Sequence, residues 1–149
     1  MAANYGLNGT FDGGEFHLTI GPLMVSGFSD GDAVTVTRAQ NIAAYRTGLD
    51  GATGRAIILD KSGTIEVHLL QTSAANDELS ALFNMNSLLL EGRASVPITV
   101  SDFSGSTVLT ASQCWLETLP PVAFSTAAVA ERVWTFRASA LQMFVGGNG

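Results

Sequence analysis

The side chains that most often carry catalysis are few in this chain and are not grouped. His17 and His68 are the only histidines, and neither has another histidine or a cysteine at the spacing of a metal site. A serine nucleophile needs a base and an orienting carboxylate, and no serine lies in a Gly-x-Ser-x-Gly turn. We therefore interpret both histidines as polar residues on strands, and we predict that the protein is not an enzyme and binds no cofactor.

Carboxylates and glycines suggest other kinds of site, each with a simpler interpretation. Glu66 and Glu117 could form a glycosidase pair, but they also fit exposed strand carboxylates, which we favour. Asp30-Gly-Asp32 begins like a calcium loop but lacks the further oxygen ligands and the closing glutamate, so we interpret it as a turn. The C-terminal glycines precede no helix and therefore do not cradle a phosphate. We predict no metal site.

The tryptophans and the cysteine lie in apolar, strand-like segments. Trp115 and Trp134 fit core or interface anchors better than sugar-binding platforms. Cys114 is the only cysteine, so no intrachain disulfide forms, and its apolar surroundings predict a buried thiol.

Composition predicts one soluble domain that hides part of its surface in an assembly. The chain has 149 residues, of which 13% are charged, whereas an average soluble domain has about 25%. The net charge of −6 argues against stable binding of nucleic-acid phosphate. No run of about 18 apolar residues predicts a membrane span, and the N-terminus lacks the features of a signal peptide. Low charge without a membrane segment indicates burial between protein copies.

Alternating apolar residues predict a sheet protein. Residues 108–119 should pair with residues 94–102 through a turn at 103–106, and a type I turn at 60–63 predicts a second hairpin. Residues 48–51 form a further turn. We predict about eight strands among nine extended segments, which cover residues 15–20, 23–28, 33–38, 42–47, 55–60, 64–72, 94–102, 108–119 and 133–145.

One segment changes to a helical period. Leu79, Leu82 and Phe83 form an apolar stripe, and Ser73 or Asn76 can cap its start, which predicts a helix near residues 75–86. Short strands joined by hairpins favour an antiparallel β-sandwich or part of a barrel with one short flanking helix. We expect a single domain over residues 1–149, with an N-terminal arm at 1–13 and a flexible tail at 146–149.

An ordered series of short motifs extends through most of the chain. Gly31-Asp32 precedes an alternating strand that ends at Arg38, and Gly48-Leu-Asp-Gly51 follows. Asp60-Lys-Ser-Gly-Thr64 then leads into the strand Ile65 to Leu70, and Ser73-Ala-Ala-Asn76-Asp77-x-Leu79 opens the helix. Over about residues 15–145 this series resembles the tail tube proteins of contractile-tailed bacteriophages, which are related in fold to type VI secretion tube proteins.

The resemblance implies a structural subunit of a virion tail. Six copies would form a ring, and rings would stack into a hollow tube inside a contractile sheath, assembled in the host cytoplasm. The implied partners are other copies of the chain, the tail sheath, tape measure, baseplate and tail terminator proteins, and DNA only in transit. A bacteriocin or type VI-like secretion device, or a ligand- or sugar-binding β-sandwich, is the alternative.

Two groups of residues follow as site predictions. The resemblance assigns residues 41–54 to contacts between stacked rings, with Tyr45 and Leu49 as apolar anchors and Arg46 and Asp50 as polar partners. An acidic bore would not retain DNA, and our candidates for its wall are the carboxylates of Glu66, Asp102 and Glu117.

Overall fold

The computed structural model describes Gly9, residues 13–89 and residues 95–147. These residues form ten strands and one helix. In chain order the elements are β1 (Phe16–Ile20), β2 (Leu23–Val25), β3 (Val34–Arg38), β4 (Ala43–Thr47), β5 (Thr53–Ile57), β6 (Gly63–Leu70), α1 (Ala75–Leu89), β7 (Val96–Asp102), β8 (Val108–Thr118), β9 (Glu131–Ala138) and β10 (Leu141–Phe144).

Eight of the strands make one antiparallel sheet in the order β2-β1-β7-β8-β9-β6-β3, with β10 also paired to β8. The strands β4 and β5 make a separate two-stranded hairpin. The large sheet curls without closing. Its two ends approach each other where the rings of Phe16, on β1, and Phe28, before β3, lie 4.9 Å apart.

Strand alternation gives the sheet an apolar inner face and a polar outer face. Ile65 pairs with Phe136 and Val67 pairs with Trp134, and all four side chains are buried. The alternate residues of β6, such as Glu66, therefore point away from the core, onto what we call the polar face. The inner face packs against itself across the curled sheet and against one side of α1, through Ala75 and Leu79.

The helix begins where the sequence predicts and ends slightly later. Ser73 Oγ accepts the N–H of Ala75 at 3.2 Å, and Asp77 and Glu78 lie in the first turn, where carboxylates suit the positive end of the helix dipole. The predicted helix at 75–86 is confirmed, and three further residues extend it to Leu89.

The predicted hairpin of residues 55–60 with 64–72 is wrong. β5 pairs with β4 along its whole length, and β6 pairs instead with β3 and β9. The Asp60 carboxylate accepts the N–H of Ser62 at 2.9 Å in the connection, but the chain does not fold back there. The tight turn at 48–51 pairs β4 with β5 locally. β6 pairs with strands that are distant in sequence, because its apolar face lies in the core.

The other expectations for the strands are met with small changes. The hairpin of β7 with β8 is confirmed, although residues 90–94 lie outside the described part. The single final strand at 133–145 is interrupted after Ala138, and both of its halves, β9 and β10, pair with β8. At the C-terminus the Gly146 N–H donates to Thr107 Oγ1 at 3.0 Å, and residues 148–149 lie outside the described part, as do most of residues 1–13.

The predicted fold class is confirmed: the chain is mainly antiparallel β with one short helix, and it is sandwich-like rather than a closed barrel. Within the described ranges, no helix is long and apolar enough to cross a membrane.

Candidate assembly surfaces

Among the described helices and strands, the β4–β5 hairpin carries the large apolar side chains with the highest exposed fractions. Every residue of both strands is exposed, and the side chain of Tyr45 is 77% exposed. Gly51, at the tip, has φ near +85°, a left-handed conformation that glycine adopts at little cost. Two strands without a core of their own are marginally stable in water, so this hairpin is suited to packing against something else.

The structure brings the four predicted inter-ring residues onto this hairpin, on different sides of it. Tyr45 pairs with Arg55, whereas Arg46 pairs with Gly54 and so points to the opposite face. Leu49 lies fully exposed in the tip. The carboxylate of Asp50 accepts the N–H of Ala52 at 3.1 Å, which stabilises the turn.

Two predicted bore carboxylates, Glu117 and Glu66, lie on the polar face. Glu117 is balanced by Arg137, since the guanidinium donates two hydrogen bonds of 3.0 Å to the two carboxylate oxygens. The hydrogen bonds to Glu117, and then its charge, raise the pKa of Arg137. This ion pair bridges β8 and β9 and removes net charge from its part of the surface.

Glu66 belongs to a cluster that the sequence analysis missed. His68 Nε2 lies 3.7 Å from Glu66 Oε2, and His68 Nδ1 lies 2.7 Å from Glu131 Oε1. The other oxygen of Glu131 accepts a short hydrogen bond from Ser29. The Ser29 hydroxyl and then His68 hold the pKa of Glu131 below its usual range. Glu131 lies on β9 two residues before Val133, so both are on the polar face, opposite the buried Trp134, and this period of two was the available signal.

The third predicted carboxylate, Asp102, lies elsewhere. It pairs with Phe16 at the end of β7, on the inner side of the curled sheet, and its carboxylate accepts the N–H and the hydroxyl of Ser104 at 3.0 and 2.7 Å. The structure therefore places Glu66 and Glu117 on one face and Asp102 at the rim of the other.

A small apolar pocket lies between α1 and the sheet. Its volume is about 110 Å³, and among the described residues no charged side chain lines it. Its lining includes Cys114 and Trp134, which are buried as the sequence predicts, and Trp115, which is 43% exposed. A sugar-binding module would need Trp115, Trp134 and Tyr45 in one exposed groove, but Trp134 is in the core and Tyr45 is on the hairpin.

Of the residues considered for chemistry in the sequence, His68 and Glu66 lie together in the cluster with Glu131. In the described part of the chain, no group of three histidine, cysteine or acidic side chains could hold a metal ion. His17, on β1, lies against the ring of Phe103, with ring centroids 4.9 Å apart, whereas His68 is on β6. Asp30 and Asp32 lie in the exposed loop before β3.

The sequence profile of a known family matches residues 10–146, and its description is bacteriophage PhiTE tail tube protein. The chain belongs to this tail tube family. The resemblance described above is thereby confirmed, and a structural role in a tube follows from family membership. A search of curated proteins finds no match to this chain.

Solved structures with low sequence identity share its fold. The sheath/tube terminator of the PVC extracellular contractile injection system matches with a TM-score of 0.64 at 16% identity, over 97% of this chain and 100% of the other. The tube-terminating cap of the anti-feeding prophage matches with 0.63 at 12%, over 95% of each chain. A chain of the PVC sheath-tube complex matches with 0.60 at 13%, over 91% of each.

Proposed function

We propose that this tail tube family member is the repeating subunit of a virion tail tube, in which rings of six copies stack inside a contractile sheath and DNA passes through the bore. The observation that carries the proposal is the fully exposed β4–β5 hairpin with its apolar side chains, on a member of a tail tube family. In a monomer this apolar surface would stay in contact with water, whereas stacking of copies would bury it.

The open sheet supports the same proposal. β2 and β3 stand at the two ends of the strand order, and in the described part of the chain no further strand pairs with their outer edges. Exposed edges favour pairing with another chain, so joining the sheets of neighbouring copies into one ring would satisfy the backbone groups of these edges. The tape measure, baseplate, sheath and terminator proteins of a tail would be the other partners.

Negative-stain electron microscopy of the purified protein tests self-assembly. We expect rings or hollow rods with sixfold symmetry. A protein that sediments only as a monomer at high concentration and at every salt concentration would contradict the proposal. A phage-derived injection device without DNA remains the second candidate, and its distinguishing result is the isolation of intact particles that contain the chain and lack DNA.

A double substitution tests the role of the hairpin. Tyr45→Ser with Leu49→Ser removes two exposed apolar side chains and should leave a folded subunit that polymerises poorly. Val122→Ser with Val129→Ser is the matched control, because these side chains are also exposed but lie in the loop before β9. Normal tubes from the hairpin variant, or equal losses from both variants, would contradict the stacking role.

For the bore, we propose that the polar face with Glu66 and Glu117 lines the lumen. Because Arg137 balances Glu117, the repulsion of phosphate would come mainly from Glu66 and its neighbour Glu131. Screening limits this repulsion to about 8 Å at physiological salt, so the wall would act as a non-adhesive lining. Asp102, on the other side of the sheet, would contribute less.

Charge reversal tests the lining. Particles with Glu66→Lys should assemble and eject DNA more slowly, because a positive wall binds phosphate. Glu78→Lys, on α1, makes the same change of charge away from the polar face and should eject at the normal rate. An unchanged rate for Glu66→Lys would contradict the proposal.

A further inference from the structure

The two faces of the β4–β5 hairpin differ in chemistry. Tyr45, Arg55 and Ile57 share one face, which we call the Tyr45 face, and Arg46 lies on the other. Neither arginine has an acidic side chain within ion-pair distance among the described residues. The hairpin holds two arginines and one aspartate, although the whole chain has 13 acidic and 7 basic residues. The Tyr45 face thus combines the apolar side chains of Tyr45 and Ile57 with a pair of threonines and the positive charge of Arg55, which has no ion pair among the described residues.

A crevice of about 560 Å³ opens where the large sheet fails to close, and we call it the seam crevice. It lies between β1 and the segment leading into β3, and its volume is within the range of roughly 300–1,000 Å³ that ligand pockets occupy. Its walls combine apolar side chains with two carboxylates. The apolar side chains are Phe16, Phe28, Val34, Val100 and Leu109, and the carboxylates are Asp32 and Asp102.

Charge distinguishes this crevice from the pocket under α1. The pocket under α1 has an apolar lining, so an arginine brought there would lose water without gaining a partner, which is costly. The seam crevice offers Asp32, an exposed carboxylate with no ion pair among the described residues. An apolar floor with a carboxylate at its edge complements an apolar face with a guanidinium beside it.

We propose that the Tyr45 face of one copy docks into the seam crevice of a second copy, with Tyr45 and Ile57 on the apolar wall and Arg55 paired with Asp32. The proposal rests on the proposed function in taking the hairpin as an assembly element, and it goes further by naming the receiving surface. It also makes Arg55, rather than Arg46, the arginine that decides assembly.

A charge exchange tests the pair. Arg55→Asp and Asp32→Arg should each raise the critical concentration for polymerisation about tenfold or more, since close charge pairs at interfaces couple by about 1.5 kcal/mol or more. The double variant should recover most of the loss. Lys61→Asp, the same change of charge at an exposed position outside the hairpin, is the control and should assemble nearly normally. Circular dichroism checks that each variant is folded.

Cysteine cross-linking tests the geometry directly. A chain with Asp32→Cys mixed with a chain with Arg55→Cys should give disulfide-linked dimers under mild oxidation. Replacing the second partner by Arg46→Cys should give few. Cys114 is fully buried and does not compete.

The outcomes separate the two proposals. If the Tyr45→Ser and Leu49→Ser variant still forms tubes, the proposed assembly role of the hairpin is wrong, and the proposed docking is wrong as well. If that variant fails to polymerise, but the charge exchange gives no recovery and no cross-link forms, the seam crevice is wrong as the receiving surface while the hairpin keeps its role. Recovery together with the cross-link supports the docking.

Discussion

Trp134 donates its indole N–H to the side-chain oxygen of Asn76 at 2.9 Å, and this bond joins β9 to the first turn of α1. The amide of Asn76 also donates to the carbonyls of Leu70 and Ser73, at 2.9 and 3.1 Å. One side chain therefore fixes the helix to the sheet and to the end of β6. Trp134 is only 3% exposed, and the side-chain oxygen of Asn76 is the acceptor for its indole N–H.

Asn76→Ala should lower the free energy of unfolding by about 1–3 kcal/mol, because it leaves the buried indole N–H without an acceptor. Urea unfolding followed by fluorescence measures the change. Asn84→Ala, at an exposed position of the same helix, is the control and should change stability by less than about 0.5 kcal/mol. Equal effects of the two substitutions would show that the bond to Trp134 contributes nothing.

Gly63→Ala should destabilise the sheet by about 1–3 kcal/mol through overpacking. A methyl group at Gly63 would lie 2.7 Å from the carbonyl oxygen of Thr37 and would overlap the side chain of Leu141. Gly54→Ala is the matched control on a strand, since its nearest neighbour would be 4.0 Å away. Thermal unfolding measures both variants, and a Tm for Gly63→Ala equal to that of Gly54→Ala would contradict the prediction.

The thiol of Cys114 should be unreactive in the folded protein. Burial raises its pKa to about 11, so at pH 8 only roughly one thiol in a thousand would be ionised even if a reagent reached it. A colorimetric thiol reagent should find one reactive group only after denaturation. Ser112→Cys, at an exposed position of the same strand, should react at once. Rapid labelling of the native wild-type protein would refute the prediction.

Glu131 should make stability depend on pH in the acid range. Its folded pKa lies below the ordinary value of 4.5, so its ionised form stabilises the fold fully above that value, and the contribution is lost as pH falls below it. We expect Glu131→Gln to be less stable than wild type at pH 7, with a smaller difference near pH 3. Urea midpoints at the two pH values test this, and an equal difference at both would contradict it.

Much of the fold was predictable from local pattern. Strand alternation placed β7, β8 and most of the final strands, and the stripe of Leu79, Leu82 and Phe83 located α1 to within three residues. The failure at residues 55–72 has a physical cause. A turn-like sequence at Asp60–Gly63 satisfies its own hydrogen bonds without reversing the chain, and the partner of a strand is chosen by the apolar face that it must bury.

The positions of the predicted site residues depended on the tertiary structure in a different way. The sequence grouped Tyr45, Arg46, Leu49 and Asp50 correctly within one exposed segment, but neighbouring residues on a strand point to opposite faces, so Arg55 joins Tyr45 where Arg46 does not. Glu66 pairs with Thr135 and Glu117 bonds to Arg137, and these two residues of β9 lie on one face. This register is not readable from spacing.

By itself, the sequence determined that this chain is an antiparallel β protein with one helix, poor in charge and similar to tail tube proteins. These properties reside in composition and in periods of two and 3.6 residues, which are local. Only the tertiary structure decided that β5 pairs with β4, that Arg137 balances Glu117, and that the sheet leaves an open seam beside Asp32. Contacts between distant strands form because they bury a shared apolar face, and their partners are set by the whole fold.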